Sequence, residues 1–226
     1  HYRERGEGVP MIDGDRIVGL SSWKWAHEGT FDYSTDELLP RGPMPAKWMQ
    51  YHGHYLNGKN AILSYSINGR KILEMPSKPK GFGAIVQTLQ IEAGNKDLML
   101  QVAKLEKDNV VQGYLPLQAK EAKFDGTSSK GIAVSMVEDD GAIGRFTAVF
   151  VKRGSSDSRV KLGKESATTL TIPASRKSQT LQIIRFSGKG EGELLAFASY
   201  LTHLQKRKSM PDLSAKTRGG PALWPE

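Results

Sequence analysis

Two Asn-Gly pairs constrain the fold of this chain more than any other feature. Asn57-Gly58 and Asn68-Gly69 flank residues 60–67, where Ala61, Leu63, Tyr65 and Ile67 alternate with mostly polar side chains. A period of two places one face of a β-strand in a core, and Asn-Gly accepts the positive φ angles of a tight hairpin turn. Three consecutive antiparallel strands are therefore predicted, at 47–56, 60–67 and 70–75.

Similar patterns continue along most of the chain. Runs rich in Val, Ile, Thr and Phe predict further strands at 84–92, 97–104, 132–137, 145–152, 168–172 and 179–186. Many short strands with turn residues between them are typical of a two-sheet sandwich or an open barrel. Residues 110–131 are predicted to be a long loop within the same domain. Residues 193–206 carry a helical stripe, but their first half also alternates as a strand would, so both assignments stay open.

The predicted fold is all-β, an antiparallel β-sandwich that is jelly-roll or concanavalin-like, with little helix. With 226 residues, 38% of them hydrophobic and 25% charged, the chain is long enough and apolar enough to bury a core. We predict a single domain over residues 1–210 and a linker over 211–226, because Gly219-Gly220, Pro221 and Pro225 cannot continue a helix or a central strand. The linker-like end and a start at His1 lead us to expect a piece, or a processed form, of a larger protein.

Composition excludes several function classes. The chain has no Cys, so disulfides, thiolate nucleophiles and a covalently attached c-type haem are excluded within it. No apolar run is long enough to span a bilayer, so no membrane span is expected. The formal net charge is +8, and residues 152–190 hold nine Lys or Arg against Asp157 and Glu165. This basic region predicts either a solvated face or a glycan or other anionic polymer as partner, and no nucleic-acid motif frames it.

His52 and His54 are the candidate metal ligands. On a regular strand, residues i and i+2 share a face, so the two imidazoles are expected to project together with Trp48 and Gln50. Two imidazoles so placed could bind a metal ion, although further ligands are needed. The alternative is that both are half-buried polar residues of the sheet. No residue of this chain is predicted to be catalytic.

Aromatic residues provide the candidate ligand-binding positions. Trp23 and Trp25 alternate with other residues in one segment, and Trp48 and Tyr51 lie in the first predicted hairpin. On an exposed strand such rings could stack on a sugar. Trp also anchors the cores of many β-sandwiches, so packing in the core is the alternative for these residues.

The first hairpin also carries a family resemblance. The runs 48–58, 63–67 and 72–74 resemble a domain of unknown function found in large secreted bacterial proteins. Such proteins combine it with a propeller like that of pyrroloquinoline-quinone sugar dehydrogenases and with a c-type cytochrome that carries Cys-x-x-Cys-His. The tail 219–226 resembles the join between that domain and the propeller.

The resemblance implies a secreted or periplasmic location and neighbouring domains of the parent protein as partners. Because the chain has no Cys, any c-type haem would belong to another domain, and the resemblance implies that any quinone cofactor lies in the propeller, so no cofactor is expected here. The prediction is a non-catalytic structural or binding module of an exported, redox-active protein. The first alternative is a carbohydrate-binding domain that uses Trp23, Trp25, Trp48 and Tyr51, and the second is a hydrolase with an unrecognised site at His52 or His54.

Overall fold

A computed structural model describes residues 24–31, 44–105, 107–125, 130–206 and 209–218. The strands are β1 (Lys24–Trp25), β2 (Met49–Asn57), β3 (Asn60–Ile67), β4 (Arg70–Ser77), β5 (Ile85–Ile91), β6 (Leu98–Lys104), β7 (Val110–Leu115), β8 (Ile132–Asp139), β9 (Ala142–Arg153), β10 (Arg159–Leu162), β11 (Ala167–Ile172) and β12 (Gln179–Lys189). The helices are α1 (Gly190–Gln205) and α2 (Leu213–Lys216). The open assignment near residue 193 is thus resolved as helix.

The strands form two sheets of unequal width. The large sheet has the order β2-β3-β4-β5-β12-β9-β8-β7, and the small sheet has the order β1-β6-β11-β10. Every pairing between these strands is antiparallel. The prediction of an all-β antiparallel fold with two sheets is confirmed.

Both predicted hairpins are present, although their turns differ. Asn68 and Gly69 both have positive φ and join β3 to β4, as Asn-Gly predicts. In the first hairpin Asn57 pairs with Asn60, so the two turn residues are Gly58 and Lys59, of which Gly58 has a positive φ. The turn therefore lies one residue later than its Asn-Gly pair indicated.

One core lies between the two sheets, and a second lies on the far side of the large sheet. Alternate residues of the large sheet, such as Ile67 and Leu89, pack against Leu100 and Leu170 of the small sheet. On the opposite face, α1 packs against β9 and β12, with Phe197 at its centre. Because both faces of the central strands are covered, these strands are apolar on both sides.

The segment that follows α1 folds back onto the large sheet. Leu213 of α2 is fully buried against Ile62, Leu73 and Met75. The Gln90 side chain accepts hydrogen bonds from the backbone N–H of Leu213 and of the next residue, at 2.8 and 3.1 Å. Part of the segment predicted to be a linker, α2, therefore packs on the large sheet. Residues 219–226 lie outside the described residues.

The prediction of a long loop over residues 110–131 is partly wrong. It contains β7, which pairs with β8 along its whole length and forms a further bridge between Tyr114 and Asp125. Gly113 permits this close approach, since a Cβ at that position would lie 2.6 Å from the Cβ of Phe124. The short strands β1 and β10 were also missed. Within the described part of the chain, no helix is long and apolar enough to cross a membrane.

Candidate binding surface

Strand β2 lies at one edge of the large sheet and is largely exposed. Its neighbour β3 places Tyr65 and Ile67 in the core between the sheets, with 4% and 0% of their surface exposed. On the same face of β2, by register with β3, lie Tyr51, His54 and Leu56. Tyr51 is 60% exposed and Leu56 is 65% exposed. We call these three residues the β2 overhang.

The overhang follows from the different widths of the sheets. The large sheet has eight strands and the small sheet has four, and neighbouring strands within a sheet lie about 4.8 Å apart. The small sheet reaches from β1, where Trp25 contacts Tyr65, to β10, where the Tyr114 hydroxyl of β7 donates to the Val160 carbonyl at 3.2 Å. Its cover includes β3 and reaches Met49 at the start of β2, whereas the rest of β2 projects past it.

A β-bulge sets which β2 side chains share a face. Tyr51 pairs with Tyr65 and Gly53 with Ser64, so His52 is an extra residue without an opposite partner. Gly53 has a φ of +113°, a conformation that L side chains rarely adopt. After the bulge the alternation of faces is shifted by one residue.

The bulge separates the two histidines. The Tyr51 hydroxyl lies 3.0 Å from His54 Nδ1, whereas His52 Nε2 lies 3.1 Å from the Ser66 hydroxyl, on the other face of the sheet. The structure therefore does not bring His52 and His54 together on one face, because the extra residue breaks the i, i+2 rule. Among the described residues, no group of three or more His, Cys, Asp or Glu side chains could hold a metal ion.

The two described tryptophans, Trp25 and Trp48, support the base of the overhang and do not project from it. Trp25 is 4% exposed, and its Nε1 donates to the Tyr65 hydroxyl at 3.3 Å. It cannot stack on a sugar, because its ring is enclosed in the core. Trp48 is half-buried, donates from Nε1 to the Ala26 carbonyl at 3.1 Å, and makes an edge-to-face contact with His27 at 4.9 Å. Trp23 lies outside the described residues.

A buried polar network continues inward from Trp25. The Tyr65 hydroxyl and Gln87 Nε2 each donate to the carboxylate of Glu74, both at 2.6 Å. Burial and the negative charge of Glu74 raise the pKa of Tyr65 well above 10. Burial lowers the pKa of Arg185 to about 10, although Glu74 opposes this shift. Because every member is enclosed, this network holds the core together and offers no group to a ligand.

Arg185 joins the sheets directly. Its Nη1 donates to the carbonyl of Val102 in β6 at 3.1 Å. Together with the Trp25–Tyr65 contact, this bond fixes the position of the small sheet over β3 and hence the edge of the overhang. The alternating pattern of 60–67 predicted Tyr65 as a core residue, but no sequence signal indicated that it pairs with Glu74.

Sequence reasoning placed Tyr51 correctly in the first hairpin but missed Leu56 and the bulge. The available signal was Gly53, because an isolated glycine in a strand pattern often marks a bulge. Applied to the run His52-Gly53-His54, that rule would have assigned the histidines to opposite faces.

Comparisons with known proteins give little further constraint. A family model described as a domain of unknown function, DUF6797, matches residues 1–74, which include β1 to β3 and most of β4. No curated protein matches the chain.

The solved structures with detectable similarity include three of the GH36 α-galactosidase AgaA from Geobacillus stearothermophilus. One has no ligand in its description, and two are of variants in complex with 1-deoxygalactonojirimycin or stachyose. They are 8–10% identical, with TM-scores of 0.37–0.38, and the match covers 63% of this chain and 28% of theirs. Similarity this low carries no argument about function.

Proposed function

We propose that this domain is a non-catalytic binding module of a larger protein and that the β2 overhang is its binding surface. The observation that carries the proposal is the exposure of Tyr51 and Leu56 on a sheet face that is core everywhere under the small sheet. Exposed aromatic and aliphatic side chains on one sheet face are typical of surfaces that bind a partner. The first 74 residues, where the DUF6797 match lies, include this strand.

The ligand class that fits this surface best is a carbohydrate. The Tyr51 ring presents an apolar face, while its hydroxyl is held by His54 at 3.0 Å, so the ring is positioned before any ligand arrives. Rings of this kind supply contact area at a low entropic cost, and the neighbouring imidazole can exchange hydrogen bonds with sugar hydroxyl groups. Leu56 extends the apolar strip along the strand.

The polar groups near the overhang favour binding over catalysis. His52 contacts Ser66 and His54 contacts Tyr51, so each imidazole is paired with one neutral hydroxyl group. Nucleophilic catalysis also needs a group that orients the base and donors that stabilise an oxyanion. The nearest buried carboxylate in the network, Glu74, accepts from Tyr65 and Gln87 instead.

Glycan-array screening followed by calorimetric titration tests the proposal. Tyr51→Ala should weaken binding of the selected oligosaccharide by about tenfold or more, the usual cost of losing an aromatic anchor. The matched control is Tyr55→Ala, which removes the same ring from the opposite face of β2, and should change the affinity by less than about twofold. Absence of binding on the array, or equal losses of affinity in both variants, would contradict the proposal that the β2 overhang is the binding surface.

The wider context is a second part of the same proposal. The resemblance of the first hairpin and the tail supports a secreted or periplasmic parent that joins this module to a propeller and a c-type cytochrome, with haem and quinone held there. The full reading frame tests this directly. A downstream propeller with Cys-x-x-Cys-His is expected, and a stop codon directly after Glu226 contradicts it. Turnover of a substrate by the isolated domain would overturn the non-catalytic role.

A further inference from the structure

We propose that strand β2 pairs edge to edge with β2 of a second copy of this chain, so that the two large sheets become one continuous antiparallel sheet. β2 is an outer strand of the large sheet, and its far side has no strand neighbour among the described residues. An open strand edge presents unpaired N–H and C=O groups that another strand can use. This inference concerns the assembly of the chain and does not rest on the proposed function.

The hairpin turn determines which backbone groups of β2 point away from β3. Asn57 and Asn60 close a two-residue turn, so this pair is joined by a backbone hydrogen bond. Bonded and non-bonded pairs alternate in an antiparallel ladder, so Tyr55 bonds to β3 while His54 and Leu56 direct their N–H and C=O groups to the open side. In the described ranges, no turn or loop forms a backbone hydrogen bond with His54 or Leu56. Their backbone groups can therefore pair with a further strand.

The other sheet edges are shorter or partly covered. β1 has two residues and β10 has four. On β10, the Tyr114 hydroxyl donates to the Val160 carbonyl and accepts from the Leu162 N–H, both at 3.2 Å. On β7, Tyr114 and Asp125 exchange backbone hydrogen bonds at 3.0 and 2.8 Å. Short strands, covering groups and bulges are the usual means of preventing edge pairing. β2 has nine residues, and over the residues that the structure describes only its bulge interrupts the open edge, so it is the least protected of the four.

The composition of β2 suits pairing with an identical strand. In a two-fold symmetric pair each charge lies near its own copy, so a charged edge strand repels itself. The chain has a formal net charge of +8, yet Met49–Asn57 contains no Lys, Arg, Asp, Glu or Pro. By contrast, β1 carries Lys24, and β10 carries Arg159 and Lys161. A neutral edge on a cationic chain favours a second copy as the partner, because an acidic segment of another protein would meet no opposite charge on this strand.

One register uses the whole regular part of the strand. Residues 53–57 follow the bulge without a further break, and the midpoint of this run is Tyr55. Pairing centred there sets Tyr55 opposite Tyr55 of the second copy and sets Leu56 opposite His54, so that the outward backbone groups of these two positions bond to each other. A register moved along the strand in either direction would bring the bulge or the hairpin turn into the ladder.

The pairing buries apolar surface on both faces of the sheet. Tyr55 is 38% exposed, and opposite aromatic rings in a non-hydrogen-bonded pair lie close enough to pack. On the other face, a two-fold axis perpendicular to the sheet brings the two β2 overhangs side by side on one surface. One pair of edge strands is smaller than the standard interface of about 1,600 Å², so we expect a weak dimer, with a Kd on the order of 10 μM.

Sedimentation velocity of the whole chain, from about 1 to 200 μM, measures this association. The wild-type chain should shift from monomer to dimer over that range. Tyr55→Lys and Tyr55→Glu should each weaken the dimer by about tenfold or more, because like charges then meet at the two-fold axis. An equimolar mixture of these two variants should form the dimer again, since opposite charges then face each other. The matched controls are Val111→Lys and Val111→Glu on the outer strand β7, where the side chain is also exposed, and they should change dimerisation by less than about twofold.

Three results would overturn the proposal. A wild-type chain that stays monomeric at about 200 μM would show that β2 does not pair with itself and would leave this edge to a strand of another protein. Species larger than a dimer that Val111→Lys disperses would indicate head-to-tail pairing of β2 with β7. A mixture of folded Tyr55→Lys and Tyr55→Glu that stays monomeric would exclude the register centred on Tyr55. Circular dichroism of each variant shows whether a loss of association reflects a loss of structure.

Discussion

Strands β2 and β3 are neighbours joined by a two-residue turn, yet they contribute to the molecule in different ways. They share a continuous antiparallel ladder, interrupted only at the bulge. On one and the same face, Ile67 of β3 is 0% exposed and Leu56 of β2 is 65% exposed. Hydrogen bonding between the strands therefore does not account for their different exposure. The difference is the cover supplied by the small sheet.

Under the proposed function, this contrast separates the binding surface of the sandwich from its core. The determinants of stability lie where two apolar faces meet, and the proposed determinants of binding lie one strand further out. Truncation of the core side chains of β3 should therefore change the free energy of unfolding, and truncation of the exposed side chains of the β2 overhang should change affinity alone. Three variants test this separation, taken from the largest expected effect to the smallest.

Ile67→Ala should have the largest effect. It removes a fully buried side chain and leaves a cavity between the sheets, which costs about 2–5 kcal/mol of the free energy of unfolding. Leu56→Ala, the control on β2, should change that free energy by no more than about 0.5 kcal/mol. Urea denaturation monitored by circular dichroism measures both. Similar losses in the two variants would mean that β2 is packed as tightly as β3.

Tyr65→Phe should have an intermediate effect that depends on pH. Losing the hydroxyl leaves Glu74 without one of its donors and costs about 1–2 kcal/mol at neutral pH. In the wild-type protein the raised pKa of Tyr65 means that, above about pH 10, the unfolded chain loses this proton while the folded chain keeps it. That part of the stability is full below about pH 10 and is lost as the pH rises toward the folded pKa.

The measurement is the free energy of unfolding of both proteins from about pH 8 to pH 11. Tyr65→Phe cannot lose the proton-linked part, so the gap between the variant and the wild-type protein should narrow as the pH rises. A gap that stays constant or widens above about pH 10 would show that the network does not hold Tyr65 neutral.

Gly53→Ala should have the smallest effect on stability, about 1 kcal/mol. No atom lies within 4 Å of the position of an added Cβ, so the cost comes from the φ of +113° and not from crowding. Relief of that strain should displace Tyr51 and weaken ligand binding. Gly192→Ala, in α1 and equally free of contacts, should stabilise the protein slightly because alanine favours a helix. Unchanged binding in Gly53→Ala would show that the bulge does not position the side chains of the β2 overhang.

Local patterns in the sequence predicted much of the fold. Alternation around Tyr65 and the Asn-Gly pairs gave the hairpins, because these signals depend on residues close together in the chain. Leu213 could not be identified in this way. Its burial depends on Ile62 and Met75, which are far from it in sequence, and the prolines and glycines that follow it are typical of a linker.

The proposed binding surface was less predictable than the fold. Exposure of Tyr51 depends on where the small sheet ends, which no pattern within β2 records. The paired histidines were misplaced because the i, i+2 rule assumes a strand without a bulge, and one glycine, Gly53, changes the face of every residue after it. Trp25 looked available for a ligand because a ring on an edge strand and a ring in a core have the same sequence signature.

The most direct test of the central claim is calorimetric titration of the array-selected oligosaccharide into Tyr51→Ala/Leu56→Ala. Its urea midpoint should match that of the wild-type protein, since both side chains are mostly exposed. The account predicts a folded domain with no measurable heat of binding. A folded double variant that binds the oligosaccharide with wild-type affinity would contradict it, and the binding surface would then have to lie elsewhere on the sandwich.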